Sequence, residues 1–196
     1  MLIHQDLVKE DLSAHLEAIY NIVNDSMYKY ENEVSAEHRA VWNTTTKANV
    51  INDFMKDAAV KYAFSQGLIT AEPQRMFLLI IPTNRGRYAV HFKKLDCFGN
   101  SKNIPTKQSK SFKAQESIDD IENAFNLEAG YSVGSYGQLL GVYLTCPNNN
   151  APLWQLDLAG AGYMSAENDM FEDDELVVSR KQVDEKGIVG NENTGT

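Results

Sequence analysis

Residues 76–94 read MFLLIIPTNRGRYAVHFKK, and this stretch decides the fold class. Met76 to Ile81 is an unbroken apolar run of strand length that stops at Pro82. Asn84-Arg85-Gly86 is a turn signal, because asparagine and glycine tolerate the left-handed backbone that tight turns use. Beyond it Tyr88, Val90 and Phe92 alternate with Ala89, His91 and Lys93. A period of two puts successive side chains on opposite faces of an extended chain, so the segment predicts a β-hairpin with one buried face.

Upstream the period changes. Leu12, Leu16, Ile19, Val23 and Met27 recur at helical spacing and predict a helix over residues 6–30. Ser35 is the expected N-cap of a second helix that carries Ile51, Met55 and Tyr62 on its stripe and runs to about Phe64. The β-branched run Thr44-Thr45-Thr46 predicts a break or bend near Asn43, and Gly67 ends the helical half.

Downstream, residues 97–113 predict a loop and Ser117 to Phe125 a short helix with Ile118, Ile121 and Phe125 on one side. Gly130 to Gly137 predicts a connection, Gln138 to Cys146 a strand, and Leu153 to Leu158 its return strand. The expectation is a single α+β domain over residues 1–165: two N-terminal helices followed by antiparallel β hairpins with a short intervening helix. Residues 166–196 are acidic, with Leu176-Val177-Val178 as their apolar cluster, and predict a largely flexible tail.

Composition excludes several classes. With 196 residues, 43% hydrophobic and 10% aromatic, the chain is an ordinary folded one rather than a disordered, collagenous or coiled-coil protein. No stretch approaches the roughly 18–20 apolar residues of a membrane helix. The first ten residues alternate apolar and charged side chains, unlike a signal peptide. Two cysteines do not make a disulfide framework. These features predict a cytoplasmic protein of a reducing compartment, with no membrane partner.

The net charge of -9 is unevenly spread. Residues 75–113 hold nine lysines and arginines against Asp96 alone, whereas residues 114–159 hold acids and no Lys or Arg. A basic segment of this density attracts phosphate, or is neutralised by the protein's own acidic flanks.

No sequence signature fixes a chemistry. His4, His15, His38 and His91 fall in no zinc-ligand spacing, and neither Cys97 nor Cys146 belongs to a Cys-x-x-Cys pair. Neither phosphate-loop motif is present, and Gly130, Gly134 and Gly137 lack a following lysine. Metal-dependent nucleases place an acid where His91-Phe92-Lys93 stands. Cys97, close to Lys93 and Lys94, is the best nucleophile among the residues, because nearby cations favour a thiolate. Cys146 alternates with core positions and predicts a buried small hydrophobe. No metal or cofactor is expected.

Two polar clusters carry the binding expectation. Arg39, Asn43, Thr46 and Lys47 share one face if the chain is helical there, with Asn49 and Trp42 beside them. Lys93-Lys94 precede a polar loop that holds Lys107 and Gln108. The predicted ligand-binding residues are therefore Arg39, Lys47, Asn49, Lys93, Lys94, Lys107 and Gln108.

At these clusters the chain resembles a family of uncharacterised bacterial and prophage proteins. The resemblance rests on His38-Arg39, the stretch TTKANVINDF at 45–54, FKKLD at 92–96, NIPTKQ at 103–108, Gly130-Tyr131 and Trp154. It covers about residues 15–158 and leaves the acidic tail out. In that family the gene often lies beside a helix-turn-helix protein fused to a zinc metallopeptidase, a toxin–antitoxin or phage-defence arrangement. The resemblance implies a protein partner encoded nearby. It carries no zinc site over to this chain.

The first functional expectation is a toxin-like effector or partner protein of such a mobile-element pair. It would bind a protein or a phosphate-bearing ligand through the basic hairpin and loop. Two alternatives stand beside it. One is an acidic phage-encoded inhibitor that mimics nucleic acid through residues 116–128 and 167–175. The other is an enzyme acting on a nucleotide or nucleic acid.

Overall fold

The computed structural model of the chain describes residues 3–102, 106–118, 121, 123–149 and 151–160. The acidic stretch 166–196, with its expected flexibility, lies outside the described residues, as does Asn103-Ile104-Pro105.

The helical half holds four helices rather than two: α1 (Gln5–Asp11), α2 (Leu16–Glu33), α3 (Ala36–Val41) and α4 (Thr44–Gln66). The first predicted helix is interrupted at residues 12–15, yet the stripe read from the sequence survives the short turn. Leu12, Leu16, Ile19, Val23 and Met27 are all buried. Ser35 caps α3, its Oγ accepting from His38 N–H at 3.3 Å. The break expected near Asn43 is a second cap. Asn43 Oδ1 accepts from Thr46 N–H at 2.9 Å while its own backbone is extended. Gly67 takes the left-handed conformation, φ 64°, which lets Leu68 N–H reach Ala63 O at 2.8 Å and closes α4.

Among the described residues six strands follow: β1 (Ile69–Ala71), β2 (Leu78–Thr83), β3 (Gly86–Lys94), β4 (Ala124–Val133), β5 (Leu139–Cys146) and β6 (Trp154–Asp157). They lie in sequence order in one sheet. Every neighbouring pair is antiparallel except β3 and β4, which run parallel from Arg87↔Ala124 to Lys94↔Tyr131. The expectation of antiparallel hairpins alone is thus corrected to a mixed sheet. Parallel neighbours need a long crossover, and residues 95–123 supply it.

That crossover also corrects two local expectations. The predicted loop 97–113 contains helix α5 (Lys107–Lys113), whose first turn is capped by Thr106 Oγ1 accepting from Ser109 N–H at 3.1 Å. The predicted helix 117–125 does not form. Ile118 and Ile121 make an isolated antiparallel bridge, and Ala124 already belongs to β4. Asn123, inside the predicted span, takes a left-handed φ of 55°, which no helix holds. Gly130 lies within β4 rather than in a connection. In β5, Val142, Leu144 and Cys146 are buried as the alternation predicts, but Leu140 is 55% exposed. A register shift at Ser132/Val133 leaves it as the extra residue of a bulge.

The sheet is covered on both faces. Leu79, Ile81, Tyr88, Val90, Leu127, Ala129 and Leu144 pack with the stripes of α1, α2 and α4. Leu78, Ile80 and Ala89 on the opposite face pack with Phe112 of α5 and with Ile118 and Ile121. Each fully buried aliphatic side chain contributes about 1.5–3 kcal/mol.

One polar network ties α1 to the sheet. Tyr88 Oη donates to Asp11 Oδ2 at 2.7 Å, and Arg85 reaches Asp11 at 3.3 Å and Glu10 at 2.9 Å. Asp11→Ala strands the hydroxyl of a tyrosine that is otherwise in the core. The expected cost is about 1–3 kcal/mol of unfolding free energy in urea melts, and Glu10→Ala, on the exposed side of the same guanidinium, should cost well under half of that.

Candidate functional site

The first turn of α4, the positive end of its dipole, lies beside the C-terminal end of β3, with Thr44, Thr45 and Ala48 lining one cleft with Lys93, Lys94 and Leu95. That turn holds no acidic residue to oppose the charge. Two clefts open here. The first, of about 660 Å³, lies among Tyr30, Arg39, Thr44, Lys47, Lys94, Tyr131 and the turn from Gly134 to Gln138. The second, of about 520 Å³, lies among Thr44, Thr45, Asn49, Asn52, Lys93, Lys94, Asp96, Cys97 and Lys102. Thr44, Ala48, Lys94 and Val133 border both.

The clefts are electropositive. Burial, then repulsion from Lys102, holds the Lys94 ammonium below its ordinary pKa. Burial also lowers Lys93, with Glu128 pulling the other way and Lys113 adding repulsion. Two acids stand against these cations: Glu31 lines the first cleft and Asp96 the second, and Asp96 Oδ1 is engaged by Phe98 N–H and Asn100 N–H, both at 2.9 Å. Two buried polar atoms here, Arg39 Nε and Tyr131 Oη, have no hydrogen-bond partner among the described residues. Tyr131 is 1% exposed and its hydroxyl pKa is raised by burial, so it is a neutral donor at a cleft wall. Cations, a helix N-terminus and an unsatisfied hydroxyl on one depression are the elements of an anion site.

Beneath the clefts the crossover is pinned by a buried acid. Glu128 Oε1 accepts from Ser101 Oγ at 2.6 Å, and Lys113 Nζ donates to Ser101 O at 2.8 Å. Burial raises the Glu128 pKa, while Ser101, Lys113 and Lys93 draw it back.

Of the predicted ligand-binding residues, Arg39, Lys47 and Lys94 meet on the first cleft, and Asn49, Lys93 and Lys94 on the second. Lys107 and Gln108 lie elsewhere. They open α5 on the opposite face of the sheet, where Gln108 Nε2 donates to Pro73 O at 2.6 Å. Tyr131 and Tyr136 were not legible as site residues. Both fall in the glycine-rich segment Gly130 to Gly137, which reads as a connection, and only the β4 pairing brings Tyr131 to the cleft wall. Cys97 is exposed at the second cleft, whereas Cys146 is buried with its thiol pushed up to about 11 by burial. Among the described residues no group of three His, Cys, Asp or Glu side chains is placed to hold a metal ion. No described helix is long and apolar enough to cross a membrane. Of the acids at 116–128, Glu116 is exposed and Glu128 buried, while Asp119, Asp120 and Glu122 lie outside the described side chains.

Protein-family models, curated proteins and solved structures return no match to this chain.

Proposed function

We propose that the protein is a cytoplasmic binding protein that takes a phosphate-bearing ligand in the clefts at the N-terminus of α4. The observation that supports this most is the meeting of Arg39, Lys47, Lys93, Lys94 and Lys102 around one helix end whose first turn holds no acid. The resemblance to prophage proteins suggests the setting. The protein would serve as the toxin-like effector or partner of a mobile-element regulatory or defence pair, with its protein partner encoded nearby.

Titration with inorganic phosphate, pyrophosphate and a nucleoside monophosphate, followed by tryptophan fluorescence, tests the reading. Trp42, at the junction of α3 and α4, lies in the chain between Arg39 and Lys47, two residues of the first cleft. A charge-assisted hydrogen bond is worth about 1.5–3 kcal/mol, so Lys47→Ala/Lys94→Ala is expected to weaken binding at least about tenfold. Melting should change little, because both side chains are partly solvated. Absence of saturable binding to the wild type, or equal binding by the variant, overturns the reading. Growth after induced expression adds the biological arm: arrest by the wild type, relieved in the double variant, supports the toxin-like role.

A further inference from the structure

We propose that the first cleft takes a nucleoside monophosphate, with its phosphate at the N-terminus of α4 and its base against Tyr131 and Tyr136. The inference rests on the phosphate-binding reading and adds the organic part of the ligand.

Size and charge point past a bare phosphate. The cleft measures about 660 Å³. That lies within the roughly 300–1,000 Å³ typical of sites for small organic molecules, and inorganic phosphate would leave most of it empty. Its charge is also of two signs. Arg39, Lys47 and Lys94 line it, and among the described residues none of the three is held in an ion pair. Glu31 lines it too. Burial raises the Tyr30 hydroxyl pKa, Arg39 lowers it and Glu31 raises it, so both charges stand near that ring. A carboxylate repels phosphate and only accepts hydrogen bonds. Glu31 therefore calls for N–H or O–H groups on the part of the ligand away from the phosphate. A nucleoside supplies them on its ribose and its base, whereas a chain of phosphates meets only repulsion there.

Two tyrosines suit the base. Tyr131 lines the cleft from β4 on the helix-covered face of the sheet, and its buried hydroxyl has no hydrogen-bond partner among the described residues. Burial, then Tyr30, raises its pKa, so the phenol keeps its proton. A neutral phenol donates to a ring nitrogen or carbonyl oxygen and accepts from an N–H, the groups along the edge of a base. An unpaired buried hydroxyl weakens the fold, and a ligand atom that meets it offsets that loss on binding. Buried Met27 and Ile51 line the same cleft with apolar surface. Tyr136 lines it from the turn between β4 and β5 and is 97% exposed. The turn that carries it is ordered. Gln138 Oε1 accepts from Tyr136 N–H at 3.2 Å, and Gly134 N–H donates to Gln138 O at 2.9 Å. An aromatic ring held on a fixed turn with both faces open is a stacking platform for a base.

Calorimetric titration of the full chain with the four ribonucleoside 5′-monophosphates, ribose 5-phosphate, inorganic phosphate and the four nucleosides tests the assignment. At least one nucleotide is expected to bind about tenfold or more tightly than ribose 5-phosphate and inorganic phosphate. Tyr136→Ala should weaken that nucleotide about tenfold more than it weakens inorganic phosphate. Tyr131→Phe removes the hydroxyl alone and should weaken it about fivefold. The urea midpoint of Tyr131→Phe should stay at or above that of the wild type, because the variant loses an unpaired polar atom. A midpoint well below wild type would assign the hydroxyl to the fold and overturn its role as a ligand contact. Equal affinity for nucleotides, ribose 5-phosphate and inorganic phosphate overturns the nucleotide assignment and leaves the phosphate site standing. Nucleotide binding that neither tyrosine variant changes does the same. Binding of none of these compounds, or of a nucleoside as tightly as its monophosphate, overturns both readings.

Discussion

Between pH 6.5 and pH 3 the wild-type protein should lose on the order of 5 kcal/mol of folding stability that a His91→Leu variant keeps. His91 is buried on the α5 face of the sheet with its ring edge-on to Phe112, centroids 5.5 Å apart. Burial, then Lys93 and Lys113, pushes its pKa from 6.5 down to about 3. In the unfolded chain the imidazole takes a proton near its ordinary value; in the fold it refuses that proton. The stability it contributes is therefore complete above pH 6.5 and drains away as pH falls toward 3. Glu128, paired across the ladder with His91, acts with the opposite sign: its raised pKa favours the fold at low pH, and this is lost as pH rises above 4.5. Urea melts of wild type and His91→Leu across this range, repeated in a Glu128→Gln background, isolate the histidine: contributions from distant carboxylates cancel in the difference, and the background removes the one neighbouring carboxylate that would not. Near neutral pH the variant should melt within about 1 kcal/mol of wild type, since leucine removes a buried nitrogen that has no hydrogen-bond partner among the described residues. Parallel pH profiles for the two proteins would sink this account of His91.

The local half of the fold was legible because it is written in local periods. The stripe from Leu12 to Met27, the cap at Ser35, the break near Asn43 and the stop at Gly67 each act within a few residues. The hairpin of β2 and β3 follows from alternation and a turn. Parallel pairing of β3 with β4 left no such mark, because it joins segments separated by the whole crossover. Helix α5 was missed for a related reason. KQSKSFK buries Ser109 and Phe112 alone, too little for an apolar stripe. Conversely, Ile118, Ile121 and Phe125 mimic a stripe but serve a bridge and a strand.

The same distinction governs the site. Arg39 and Lys47 were expected on one helix face. They stand on α3 and α4 with the Asn43 cap between them, yet both reach the first cleft. Lys94 joins them only through the β3–β4 pairing, which sequence does not display. Lys107 and Gln108 follow Lys94 closely in the chain, but the crossover carries them over to the other face of the sheet. Proximity in sequence grouped these residues correctly only where no crossover intervened.

Gly130→Ala is expected to be the most damaging single-methyl change in the sheet and to disable the clefts as well. Gly130 lies opposite Lys93 in the parallel ladder. A Cβ built there would collide with the Lys93 backbone carbonyl and crowd the Leu95 side chain. The ladder continues past this point, with Leu95 N–H donating to Tyr131 O at 2.8 Å. Backbone cannot swing aside as a side chain can, so the strand end that presents Lys93 and Lys94 must shift. Overpacking of this kind typically costs about 1–3 kcal/mol, and a backbone obstacle places Gly130→Ala at or beyond the upper figure. Gly134→Ala is the control. Its added methyl would meet only the flexible Gln138 side chain, which can move away, so its melting midpoint should stay close to wild type. Paired urea melts and phosphate titrations decide the matter: Gly130→Ala should lower both stability and affinity, and wild-type values for both would show that the strand end yields more freely than the geometry implies.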